Sequence, residues 1–97
     1  MQQINIEQLK NLQAIKEVML IDVRELFEHE VNNIGGTLIP LGDIMNRSSG
    51  IPKDKPVVLY CQKGIRSQIA IQRLEEKYGF TNLINLQGGL EAVNKKF

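Results

Sequence analysis

Apolar residues along this chain fall into two patterns. Val18-Met19-Leu20-Ile21 and Val57-Val58-Leu59-Tyr60 are short, unalternating runs of strand length. A run without polar alternation suits a strand covered on both faces, as in a parallel sheet. Ile4-Asn5-Ile6, Thr37-Leu38-Ile39 and residues 82–86 are weaker strand segments. Helical spacing fills the intervals between them. Leu9 and Leu12 mark a helix over 7–14, and Phe27 and Val31 mark one over 24–31 that stops near Gly35-Gly36. Pro40 precedes a turn or two over 41–46. The clearest helix spans 65–78, with Ile65, Ile69, Ala70, Leu74 and Tyr78 as its apolar stripe and Gly79 as its stop. A last helix over 90–96 follows Gly88-Gly89. Strands alternating with helices predict an α/β fold. Its core would be a mostly parallel central sheet of about five strands, flanked by helices and joined by right-handed crossovers.

Composition narrows this picture. The 97 residues contain no linker-like stretch and no internal repeat, so one domain over 1–97 is expected. Twelve Lys/Arg against eleven Asp/Glu lack the basic excess of a nucleic-acid protein. No apolar run reaches membrane-spanning length, and MQQINIEQLK lacks the basic start and apolar core of a secretion signal. The expected partners therefore include neither nucleic acid nor membrane, and the expected compartment is a reducing cytoplasm. One cysteine, Cys61, excludes an internal disulfide, and with His29 as the one histidine a closed Cys/His zinc site is out of reach. Nothing in the sequence calls for a metal or an organic cofactor.

The lone thiol stands where it can react. Cys61 ends the best strand, and Gln62-Lys63-Gly64-Ile65-Arg66-Ser67 leads into the best helix. Ligands in open α/β sheets collect outside the carboxyl ends of the strands. A helix N-terminus there presents unpaired N–H groups and a positive dipole end, which lower a thiol pKa. Gly64 lets the loop turn its N–H groups inward, and Lys63 and Arg66 add positive charge on the same turn. The alternative is a cysteine that packs as a small buried hydrophobe.

Four ordered stretches extend this reading. Leu20-Ile21-Asp22-Val23-Arg24-Glu25 precedes an acidic, aromatic helix (Phe27-Glu28). Ile34-Gly35-Gly36 then leads into Ile39-Pro40-Leu41. Val58-Leu59-Tyr60-Cys61 is followed by Gly64, Arg66 and Ser67, and Leu86-Gln87-Gly88-Gly89-Leu90 closes the series. Together, over residues 4–96, they resemble a single-domain rhodanese, a sulfurtransferase-like domain. Asn33 and Val93 stand where many relatives carry histidine and tryptophan. The Asn33-Ile34-Gly35-Gly36 version is similar to rhodanese domains fused behind adenylylating enzymes of sulfur-carrier and molybdopterin pathways.

The resemblance implies a rhodanese-like fold and covalent catalysis through a Cys61 persulfide. Backbone N–H groups of Gln62, Lys63, Gly64, Ile65, Arg66 and Ser67 would hold the persulfide anion, and the side chains of Lys63 and Arg66 would contact an oxyanionic substrate. Gln62 is neutral where thiosulfate-active relatives often carry a basic residue. Implied partners are a small sulfur-donor anion such as thiosulfate and a thiol or cyanide acceptor. In a relay serving a sulfur-carrier, molybdopterin or thiamine-type pathway, the donor or acceptor would be a protein.

Several residues have two readings. Asp22 and Arg24 are either a charged support beside the active loop or a partly exposed ion pair worth about 1 kcal/mol or less. Ser67 either caps its helix, the favoured reading, or donates to the persulfide. His29, among Glu25, Glu28 and Glu30, reads as part of a solvated helix face, because no second ligand set lies at matching spacing. A cysteine phosphatase would need arginine six positions after its cysteine, but position 67 is serine and the arginine is Arg66. The other alternative is a non-catalytic binding module; inactive members of the family that the chain resembles usually lose the cysteine, and this chain keeps Cys61.

Overall fold

The first strand stops where a helix cap begins. Asn5 Oδ1 accepts from the Gln8 N–H at 2.8 Å, and the Asn5 N–H donates to Gln8 Oε1 at 2.8 Å. This reciprocal box starts α1 (Ile6–Ile15), so β1 is Gln2–Ile4 and the expected strand over Ile4-Asn5-Ile6 is displaced toward the N-terminus. In the computed structural model, which describes residues 1–94, the other elements follow in the expected alternation. They are β2 (Met19–Asp22), α2 (Leu26–Val31), β3 (Thr37–Leu38), β4 (Val57–Tyr60), α3 (Ile65–Tyr78), β5 (Leu83–Leu86) and α4 (Gly89–Asn94). The segment after Pro40 forms a short 3-10 turn, Leu41–Asp43, and a second one, Ser48–Gly50, follows unforeseen. Residues 95 and 96 of the last expected helix lie outside the described residues.

The five strands form one sheet in the order β1-β5-β4-β2-β3, with every pairing parallel. Both long apolar runs are interior strands, β2 and β4, as unalternating patterns require. Leu20, Val58, Tyr60, Ile84 and Leu86 face α1 and α4, while Ile21, Val57, Leu59 and Leu83 face α3 and the 41–51 segment. Each fully buried aliphatic side chain in these layers contributes about 1.5–3 kcal/mol. Among the described residues, no helix is long and apolar enough to cross a membrane.

Two apolar patterns face elsewhere than their spacing suggested. On α3 the buried face is Ser67, Ala70, Ile71 and Leu74, whereas Ile65 and Tyr78 are exposed at the two ends of the helix. On α2 Phe27 is 69% exposed and Val31 85%, and no residue of that helix is buried. The helix is only six residues long, and it is held by polar side chains described below.

The register sets the site. Asp22 stands opposite Tyr60, and Leu59 stands opposite Asn85. The chain segments leaving β2, β4 and β5 therefore meet at one carboxyl edge.

Candidate active site

Cys61 follows the last residue of β4 and is 1% exposed. The chain then turns over Gln62 and Lys63 to Gly64, which has φ +87° and opens α3. That left-handed conformation is routine for glycine and costs other residues about 1–2 kcal/mol. It points two backbone donors at the sulfur: Cys61 Sγ accepts from the Gly64 N–H at 3.1 Å and the Ser67 N–H at 3.4 Å. The turn into α4 supports the loop from outside. Leu90 N–H donates to Cys61 O at 3.0 Å, and Glu91 N–H donates to Gln62 O at 2.9 Å.

Burial pushes the Cys61 thiol up, but hydrogen bonds to Ser67 (hydroxyl and N–H) and from the Gly64 and Lys63 N–H groups outweigh it. The result is a pKa below the ordinary thiol value. Iodoacetamide should therefore modify Cys61 with a midpoint below the free-thiol value of about 8.5, and a midpoint at or above that value would show an unactivated sulfur.

Ser67 is fully buried and does not cap the helix, contrary to the favoured expectation. Its Oγ lies 3.5 Å from Cys61 Sγ and 2.5 Å from Asn85 Oδ1, so its one hydroxyl proton goes either to Asn85 or to the sulfur, and the second orientation is the one that lowers the thiol pKa. Asn85 Nδ2 in turn donates to Gln3 Oε1 at 3.1 Å. A buried asparagine on β5 thus stands behind the hydroxyl neighbour of Cys61. Sequence reasoning missed Asn85, although an asparagine inside an otherwise apolar strand (Leu83-Ile84-Asn85-Leu86) was the available signal.

Asp22 and Arg24 are also buried, at 0% and 2% exposure, so the partly exposed pair is corrected. Arg24 Nε and Nη2 reach Asp22 at 2.9–3.2 Å, and Nη2 also donates to Asn32 O at 2.5 Å. Arg24 Nη1 touches the cysteine loop through Gln62 Oε1 at 3.4 Å. His29 is not part of a solvated face: its Nδ1 lies 2.8 Å from Asp22 Oδ2. This cluster fixes α2 against β2, which explains how a helix without buried residues stays in place.

Around the sulfur, Glu28, Cys61, Gln62, Lys63, Ile65 and Arg66 line a cavity of about 340 Å³. Somewhat larger hollows, of about 450 and 420 Å³, lie by the entering ends of the strands, near Glu17 and Lys53 respectively, away from any cysteine. Lys63 is exposed. Arg66 faces the cavity but is occupied, its Nη1 and Nη2 donating to Glu28 Oε1 and Oε2 at 2.7 and 2.8 Å. Glu28 is the second residue that the sequence reading left outside the site.

Known proteins share this fold. Residues 5–96 match the family described as Rhodanese-like domain. The chain belongs to that family. The uncharacterized protein YqhL of Bacillus subtilis is 46% identical over 82 residues, covering 84% of this chain and 64% of that protein. A sulfurtransferase of Allochromatium vinosum is 37% identical over 84 residues, covering 86% of this chain and 78% of that protein. A solved rhodanese-like domain protein of Staphylococcus aureus superposes with a TM-score of 0.85 at 29% identity, covering 95% of this chain and 90% of that one. The chain thus spans just under two thirds of the Bacillus subtilis relative. The five-stranded parallel sheet and four helices are those of rhodanese-like structures.

Proposed function

We propose that this rhodanese-like chain transfers sulfane sulfur through a persulfide on Cys61. The observation that carries the reading is the Cys61 sulfur itself, facing two inward backbone N–H groups at the carboxyl edge of the sheet. In the first half-reaction the Cys61 thiolate attacks the outer sulfur of a donor. With thiosulfate the S–S bond of the donor breaks, sulfite leaves with the bonding electron pair, and Cys61 keeps the outer sulfur as a persulfide anion. In the second half a thiol or cyanide attacks that outer sulfur and the Cys61 thiolate departs.

Donors aimed at the sulfur stabilise the thiolate before the attack and again as it leaves. Lys63 is the exposed cation at the mouth, and Asp22 and Arg24 position α2 and Gln62 beside the loop. The chain has one cysteine, so no internal thiol can resolve the persulfide as a disulfide, and the sulfur must pass to an outside acceptor. The Allochromatium vinosum relative named a sulfurtransferase supports the same reading.

Intact mass tests it. After incubation with thiosulfate, or with a cysteine desulfurase plus cysteine, the protein should gain about 32 Da, one sulfur atom. Cys61→Ala should abolish the gain. Labelling by thiosulfate alone identifies a stand-alone sulfurtransferase, and labelling by the desulfurase alone identifies a relay. A chain that gains no sulfur from either source is not a sulfurtransferase.

A further inference from the structure

Both guanidinium groups near Cys61 are paired with carboxylates. Arg24 lies 2.9 Å from Asp22, and Arg66 makes a two-pronged pair with Glu28 at 2.7 and 2.8 Å. Lys63, exposed on the cavity rim, has no ion pair among the described residues, and the sulfur in that cavity is itself negative once ionised. With the thiolate formed, the site therefore holds three cations (Arg24, Lys63, Arg66) and three anions (Asp22, Glu28, Cys61). A small dianion entering the cavity meets the Lys63 ammonium at the rim, but no free guanidinium and one facing carboxylate.

Glu28 is also anchored from behind. Its Oε1 accepts from the backbone N–H of Glu25 at 3.1 Å, at the start of α2, and α2 is tied down by His29 on Asp22 and by Asn32 O on Arg24. The carboxylate thus cannot swing away without losing a backbone hydrogen bond as well as the ion pair. Hydrogen bonding from Arg66 pulls its pKa to about 2, so protonation does not open the pair at any ordinary working pH. A bidentate guanidinium–carboxylate pair saturates the fork geometry that would otherwise grip a sulfonate or sulfate oxygen pair.

We propose that Glu28 is a specificity-determining residue: by occupying both terminal nitrogens of Arg66 it disfavours small dianionic donors such as thiosulfate and leaves the site to sulfane donors of low charge, organic persulfides above all. The inference rests on the sulfurtransferase reading and narrows its donor class. For such a donor, R–S–SH, the Cys61 thiolate attacks the outer sulfur, that S–S bond breaks, and R–S⁻ leaves with the electron pair while the proton stays on the transferred sulfur. Sulfur, proton and charge balance without any further reactant. Nothing in that step requires a guanidinium to hold an oxyanion, so the Arg66–Glu28 pair can remain closed throughout. With thiosulfate, two negative charges enter and two leave as sulfite, and a closed pair helps at neither stage.

The test uses the full chain, Glu28→Gln, and Glu28→Gln combined with Arg66→Ala. Two quantities are measured: the rate of the mass gain at Cys61 with thiosulfate and with cysteine persulfide, and the sulfate concentration that protects Cys61 from iodoacetamide. Glu28→Gln should raise the thiosulfate rate about tenfold, the equivalent of about 1.4 kcal/mol. It should change the cysteine persulfide rate by about threefold or less, as expected for a change in one partly screened charge. Sulfate should protect at about tenfold lower concentration. Adding Arg66→Ala should cancel both gains, because the freed guanidinium is their source.

Unchanged or weaker sulfate protection in Glu28→Gln overturns the inference, and so does an equal acceleration with both donors. A gain that survives Arg66→Ala overturns it too. Sulfate protection needs no turnover. A protein that accepts sulfur from no donor would therefore refute the sulfurtransferase reading while still reporting whether Glu28 closes Arg66 to anions.

Discussion

Replacing Gly89 by alanine should destabilise the fold by about 3 kcal/mol or more and disable the cysteine loop with it. Gly89 has φ +62°, where a side chain alone costs about 1–2 kcal/mol. The larger contribution is steric. An added Cβ would collide with Cys61 O and lie 2.6 Å from Gln62 O and 2.7 Å from Gln62 C. All three are backbone atoms, and both carbonyls already accept hydrogen bonds from the turn into α4. Relieving the clash must push that turn away from the segment carrying Cys61.

Gly79 is the control. It has φ +68°, but a methyl group added there would meet nothing within 4 Å, so Gly79→Ala should cost only about 1–2 kcal/mol. In a chain of this size each 1 kcal/mol lowers the thermal midpoint by about 4–8 °C, so the two variants should be well resolved. The iodoacetamide midpoint of Cys61 should also rise in Gly89→Ala and stay put in Gly79→Ala. Equal losses of stability in the two variants would show that the close packing against Cys61 and Gln62 contributes nothing.

Asp22→Ala should be about as damaging, at about 3–5 kcal/mol, because it strands a buried guanidinium. Among the described residues Arg24 would keep only Asn32 O and Gln62 Oε1 as hydrogen-bond partners, and His29 would lose the carboxylate that holds α2. Asp22→Asn keeps the shape and isolates the charge. Burial pushes the Asp22 carboxyl up, but hydrogen bonds from the Arg24 side chain, His29 and the Arg24 N–H outweigh it and hold its pKa below the unfolded value of 3.8.

The sign follows from linkage. A carboxyl whose folded pKa is depressed binds its proton more readily in the unfolded chain, so its contribution is complete above pH 3.8 and disappears as the pH falls through the lower folded value. Denaturation measured between about pH 5 and 2 should show a shallower acid loss in Asp22→Asn than in the parent. Glu28, which Arg66 holds at about 2, contributes to the slope that remains. An unchanged slope would place the acid sensitivity elsewhere.

Much of the architecture was legible locally. The runs of β2 and β4, the stripe and glycine stop of α3, and the placing of Cys61 between them are properties of a few consecutive residues. Local signals erred where a neighbouring preference prevailed, as when the Asn5 cap claimed residues that looked like strand. They erred again where spacing did not reveal the direction of a helix face. Phe27 and Val31 are four apart, yet α2 turns them outward and is held by Asp22, Arg24 and His29 instead.

Of the candidate site, the sequence alone determined the position of the Cys61 thiol, the glycine that turns its loop and the helix that follows, because these lie within one short stretch of chain. Tertiary structure decided which charges and hydroxyls are free. Glu28 and Arg66 are 38 residues apart and Ser67 and Asn85 are 18 apart, and each pair meets across different elements. Their meeting depends on the order β1-β5-β4-β2-β3, which brings β2 and β5 to either side of β4. Periodicity and turn chemistry report how each segment folds against its own backbone. Whether Arg66 is an open anion site or a closed pair is a fact about its neighbours in space, and only the assembled sheet supplies them.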